Sequence, residues 1–164
     1  MKSGLFLVVL WVSMGVSIAQ QAPAIHWVKF EELDSLQKKE QRPVFIFLHT
    51  SWCGYCKLFE RRSLRNPEVI QQLNRYFYCV DFDAESKQSI TFRGRVWKFQ
   101  PTGIETGLHE MTTYLLQPYK VSAYPGLLFR DASFKPVTGI FSALSPNEFL
   151  QLTDQVAALY KAGD

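Results

Sequence analysis

Hydrophobic positions along the chain fall into alternating short runs and helical stripes. Ile25 to Phe30 is aromatic and β-branched and predicts a first strand, followed by a charged amphipathic stretch, Glu31 to Lys39, carrying Leu33 and Leu36 on one side. Val44 to Leu48 is apolar without alternation, which predicts a central strand covered on both faces and ending near His49. After the loop Thr50 to Trp52, a helix carries Cys53, Cys56, Leu58 and Phe59. Asn66 and Pro67 then suit the cap and first turn of another helix, striped by Val69, Ile70 and Leu73. Tyr76 to Phe82 is a further internal strand, Leu127 to Phe129 a core strand after Pro125, and Val137 to Phe141 its hairpin partner across the turn Arg130 to Pro136. The last helix opens with Ser145, Pro146 and Glu148, a cap, a first-turn proline and a capping-box acid. Its expected core stripe is Phe149, Leu152, Val156 and Leu159.

Ala84 to Met111 resists this reading, mixing glycines with Phe92, Val96, Trp97 and Phe99; a loose insertion with one short hairpin is expected, then a helix from His109 to Leu116. The alternation of strands and helices predicts an α/β protein, a central mixed sheet with helices on both faces. One domain with a real core fits 164 residues, and an apolar fraction of 47% excludes a disordered chain.

Met1 and Lys2 precede an apolar run from Leu5 to Ile18, too short to cross a bilayer comfortably. Small residues at Ser17 and Ala19, followed by Gln20, point to a signal peptide over 1–19 and a single domain over 20–164. An uncleaved anchor or a buried N-terminal helix is the alternative. The expected destination is the periplasm or another exported location, with no stable membrane span in the mature protein. Net charge is only +3, and the basic clusters lie among Glu and Gln in helical context, so nucleic acid is not an expected partner.

Three cysteines are too few for a disulfide scaffold, but Cys53 and Cys56 are three apart at a helix start that follows a buried strand. Free amides and the helix dipole there favour a thiolate, and the spacing lets the two sulfurs close a ring. Cys53, expected to be the more exposed, is assigned as nucleophile; Cys56, one turn inward, resolves the mixed disulfide. No metal site is expected, because a zinc centre would need ligands from the scattered His26, His49 and His109. A structural disulfide is the remaining alternative. Cys79 is expected to be buried and inert.

The run Trp52-Cys53-Gly54-Tyr55-Cys56-Lys57, with Pro125 some seventy residues later, resembles the thioredoxin-like thiol:disulfide oxidoreductases. Within that superfamily the run Trp52 to Glu60, the Asn66-Pro67 turn and the Val80-Asp81 strand end look most like the soluble C-terminal domain of DsbD and its small exported relatives. The resemblance implies a three-layer fold with an insertion at about 83–120 before a cis-proline strand. It also implies that Pro125 lies opposite the dithiol, and that Tyr124 offers backbone hydrogen bonds to an extended substrate.

Two departures stand out: Gly126 where Thr is common, and Phe47 where the family buries an acid six residues before the first cysteine. Glu60 matches a glutamate of the DsbD-like domain that could take over proton handling. His49 could tune or relay protons, and Lys57 could supply a local positive charge. A plain solvated role stays open for all three. Trp52 and Tyr55 are expected to flank the dithiol and shape docking, and the insertion to form either a partner surface or a packed elaboration.

The expected function is reduction of protein disulfides by an exported oxidoreductase. It needs no cofactor beyond the redox-active Cys53–Cys56 pair. Its partners would be disulfide-containing exported proteins and an upstream thiol electron donor. A redox-inert binding module and an isomerase or oxidase are the alternatives, because the direction of exchange is not readable from sequence.

Overall fold

The computed structural model describes residues 23–161. The expected signal peptide over 1–19 lies outside them. Among the described residues no helix is long and apolar enough to cross a membrane.

The order of elements is α1 (Phe30–Lys39), β1 (Val44–His49), α2 (Gly54–Arg62), α3 (Pro67–Tyr76), β2 (Tyr78–Asp83), β3 (Ile90–Phe92), β4 (Arg95–Trp97), β5 (Phe99–Pro101), β6 (Gly107–His109), α4 (Glu110–Leu116), β7 (Gly126–Arg130), β8 (Pro136–Ile140) and α5 (Pro146–Lys161). Four strands form the central sheet in the order β2-β1-β7-β8, with β2 parallel to β1 and the other two pairs antiparallel. Its two faces follow directly from the alternation of side chains along β1. Phe45 and Phe47 face a core built with Phe59 of α2, Val69, Ile70 and Leu73 of α3, and Phe149 and Val156 of α5. Val44, Ile46 and Leu48 face the opposite core, with Phe30 and Leu33 of α1 and Met111 and Leu115 of α4. This is the expected three-layer α/β architecture.

Several expectations need correction. The strand foreseen over 25–30 shrinks to one parallel bridge, Trp27 to Cys79, because Phe30 is already the first residue of α1. Tyr76 belongs to α3 rather than to the strand that follows it. Arg130, foreseen in a turn, ends β7 fully buried, donating from Nη2 to the Leu115 carbonyl at 2.6 Å in the last turn of α4. That is the negative end of the helix, where a cation is favoured. In α5 the buried stripe runs through Phe149, Thr153, Val156 and Ala157, leaving Leu159 67% exposed.

The insertion is ordered, with two hairpins instead of one. The first turns at Arg93 and Gly94, both at positive φ (52° and 72°), as a two-residue hairpin loop requires. Phe92, Trp97 and His109 are buried and pack into the insertion, while Phe99 is half-buried. His109 caps α4: its Nδ1 accepts from the Met111 amide at 3.1 Å while Nε2 meets the Gln88 carbonyl at 3.1 Å. Burial holds its pKa below the ordinary value, consistent with a neutral ring.

Candidate functional site: a disulfide capping the second helix

The strand β1 delivers the chain to the sheet end, where Thr50 to Trp52 turn it into α2. The Cys53 amide donates to the Thr50 carbonyl at 3.2 Å, closing the turn. Cys53 is the N-cap of α2, and its Sγ accepts from the Cys56 amide at 3.1 Å, in the place where a serine or aspartate oxygen usually caps a helix. No acidic residue lies in the first turn, so the free amides and the helix dipole have no competing anion there. Cys53 and Cys56 form a disulfide with Cα atoms 5.3 Å apart.

The expected contrast in exposure between the two cysteines is nearly absent: Cys53 is 5% exposed and Cys56 3%. Both cysteines join the core that contains Phe47 and Phe59. Position in the helix, not exposure, therefore distinguishes them. Trp52 and Tyr55 stand out on either side of Cys53, 65% and 70% exposed. Gly54, the first residue of α2, has open space where a Cβ would be, so packing does not demand glycine. Lys57 and Glu60 are exposed along the same helix.

The Tyr124–Pro125 peptide is cis and leads straight into β7, whose Gly126 pairs with Leu48 of β1. Pro125 thus arrives at the sheet end from which the cysteine loop departs. The Tyr124 ring meets Trp52 edge-on, with centroids 6.2 Å apart. Cys79 is fully buried in β2, where burial drives its thiol pKa far up and keeps it protonated.

Sequence reasoning missed a set of carboxylates at the end of β2. Glu85 accepts from Trp52 Nε1 at 3.1 Å and receives its own backbone support from Asp83, whose Oδ1 accepts the Glu85 amide at 3.0 Å. Asp81 pairs with His49 Nε2 at 2.8 Å. Burial disfavours the charged imidazole, but the hydrogen bond and charge of Asp81, helped by Asp83 and the Thr50 backbone, more than reverse it and raise the His49 pKa above its ordinary value. The signal was the spacing Asp81, Asp83, Glu85: alternate acids that end the strand and enter the turn after it. Among the described residues no group of three or more His, Cys, Asp or Glu side chains is placed to hold a metal ion.

Comparison with known proteins agrees with this fold. DsbD, the thiol:disulfide interchange protein of Vibrio vulnificus, is 27% identical over 124 residues, 72% of this chain but 17% of its own length. Mouse spermatogenesis-associated protein 20 is 36% identical over 53 residues, 32% of this chain and 7% of its own. The chain thus spans only a small part of these curated relatives. Among solved structures, the oxidoreductase DsbH superposes with a TM-score of 0.59 at 19% identity, covering 90% of this chain and 96% of that one. The oxidised C-terminal domain of Neisseria meningitidis DsbD gives 0.51 at 18% identity, covering 75% and 88%. At such identities these structures show a shared fold. The family model for a thioredoxin-like domain matches residues 30–157, most of the chain, and the protein belongs to that family.

Proposed function

We propose that the protein is an exported thiol:disulfide oxidoreductase that reduces protein disulfides through Cys53 and Cys56. The observation that carries this reading is the disulfide at the N-cap of α2, where the Cys56 amide and the helix dipole would hold a Cys53 thiolate once the bond is opened. In the reduced protein, Cys53 attacks a client disulfide and forms a mixed disulfide, releasing one client sulfur as thiolate. Cys56 then attacks Cys53, restoring the internal disulfide and freeing the second client sulfur. An upstream thiol donor returns the pair to the dithiol. Trp52, Tyr55 and the Tyr124–Pro125 segment frame the sulfurs, and an extended client strand laid along Tyr124 would reach Cys53. The similarity to a thiol:disulfide interchange protein supports exchange chemistry, and the apolar run Leu5 to Ile18 supports export.

Reduction of insulin disulfides by the protein from residue 20 onward, beside Cys53→Ser and Cys56→Ser, tests the reading. Cys53→Ser is expected to abolish turnover, and Cys56→Ser to accumulate a mixed disulfide resolvable on a non-reducing gel. Equal turnover by all three proteins, or a wild-type pair that does not change state across glutathione buffers, refutes it.

A further inference from the structure

Beneath α2, on the sheet face that carries Phe47, lies a cleft of about 460 Å3 whose lining includes Phe47, His49, Glu60, Arg65 and Asp81. Phe47 stacks on the His49 ring at 5.0 Å and packs against Phe59 of α2 at 5.6 Å, so one apolar side chain separates the imidazole from the helix that bears the dithiol. His49 is also close to Cys53 along the chain. The turn closed between Thr50 and Cys53 keeps the Cα atoms of residues 49 and 53 within about 11 Å.

We infer that His49, held by Asp81, is a positioning residue whose charge is coupled to the redox state of the Cys53–Cys56 pair. The reasoning is electrostatic. The disulfide carries no charge; the reduced pair with Cys53 ionised carries one negative charge at the N-cap. A cation on the other side of Phe47 from α2 stabilises that charge, the more so because the Phe47 ring displaces water between the imidazole and the helix. By reciprocity, the thiolate stabilises the imidazolium. Reduction therefore raises the affinity of His49 for its proton, and protonation of His49 favours the reduced pair.

The other charges facing His49 are Asp81 and Asp83 from β2, with Glu60 of α2 and Arg65 after it across the cleft. Asp81 acts most directly. Without it, burial is opposed only by Asp83 and the Thr50 backbone, and the imidazole becomes harder to protonate than in the wild-type protein. Proton balance is explicit when dithiothreitol opens the bond. The reagent supplies two electrons and two protons and closes to its cyclic disulfide. One proton stays on Cys56, and the other goes to neutral His49 or to buffer while Cys53 remains ionised.

This inference rests on the exchange chemistry proposed above only in taking Cys53 as the ionised sulfur, so its test is separate from turnover. The His49 ring is titrated by NMR in the oxidised protein and again after reduction by dithiothreitol. Its titration midpoint is expected to rise by about half a pH unit on reduction. Asp81→Asn is expected to lower the midpoint in both redox states. Glu60→Gln, which leaves the His49–Asp81 pair in place, is expected to preserve the redox difference.

His49→Gln is expected to remove the corresponding inflection from the pH dependence of the redox potential while leaving the thiol inflection. Identical His49 midpoints in the two redox states, or an unchanged potential profile in His49→Gln, overturn the coupling. If coupling is found but insulin is not reduced, the functional reading fails and this inference stands; turnover without coupling gives the reverse.

Discussion

Replacing Phe149 with alanine tests how the last helix holds the dithiol helix. Phe149 is fully buried, and its ring lies 5.2 Å from Phe45 of β1, 5.1 Å from Phe59 of α2 and 6.4 Å from Phe129 of β7. Its ring joins α5 to both the sheet and α2. Deleting a fully buried phenylalanine costs about 3–5 kcal/mol, the lost transfer of the ring plus the cavity left among neighbours that cannot close over it. Taking about 4 kcal/mol and a urea slope of about 2 kcal/mol/M, the unfolding midpoint is expected to fall by about 2 M with the slope unchanged.

Leu159 supplies the contrast. The hydrophobic pattern places it on the same stripe, yet it is 67% exposed, and Leu159→Ala is expected to cost under about 0.5 kcal/mol. Because a large loss can leave too little folded Phe149→Ala to measure, Phe149→Leu, at about 1 kcal/mol, gives a second reading of the same site. Equal losses at 149 and 159 would mean that α5 is rotated about its axis from the arrangement described, and the account of how α2 is buttressed would fall with it.

Two further outcomes follow from the titrating groups. His49 has a folded pKa above its unfolded value of 6.5, so the stability its pairing with Asp81 supplies is complete below that value and drains away as pH rises through the folded pKa. The stability gap between wild type and Asp81→Asn, about 1 kcal/mol or less for a half-buried imidazole on an exposed carboxylate, is therefore expected to narrow on the alkaline side and at high salt; a gap that widens with pH would refute the pairing. Cys79, buried and held protonated, is expected to resist iodoacetamide in the native protein and to react fully in denaturant, read by mass spectrometry; native labelling at the rate of an exposed thiol would contradict its burial.

What the sequence made legible depends on how far apart the determining residues are. The strand β1 is readable because a strand covered on both faces must be apolar at every position, and Val44 to Leu48 is. The start of α3 is readable because Asn66 carries its own cap, accepting from the amides of Glu68 and Val69 at 2.9 and 3.1 Å. The dithiol is readable because both sulfurs lie within one helical turn. The insertion is not, since strands of three residues are too short to display alternation, and its first hairpin turns on Arg93-Gly94 where Asn-Gly would have announced it. The leading residues deceived because Ile25 to Phe30 has strand composition but meets β2 at one bridge, with Val28 donating to the Cys79 carbonyl at 2.8 Å.

The partner of His49 belongs to a different class of difficulty. Strands β1 and β2 are parallel and joined through α2 and α3, so no tight turn sets their register. The register follows instead from matching apolar faces: Phe45 beside Cys79 on one side, Ile46 beside Val80 on the other. Once that parity is accepted, the rest is forced. Odd-numbered residues of both strands share a face, so Asp81 pairs with Phe47 in the ladder and lies on the His49 side, next to a helix whose first turn has no carboxylate of its own. An ionisable pair at this sheet end is thus written into the alternation of two strands 28 residues and more apart, and only their alignment brings it together under the helix that bears the sulfurs it is proposed to sense.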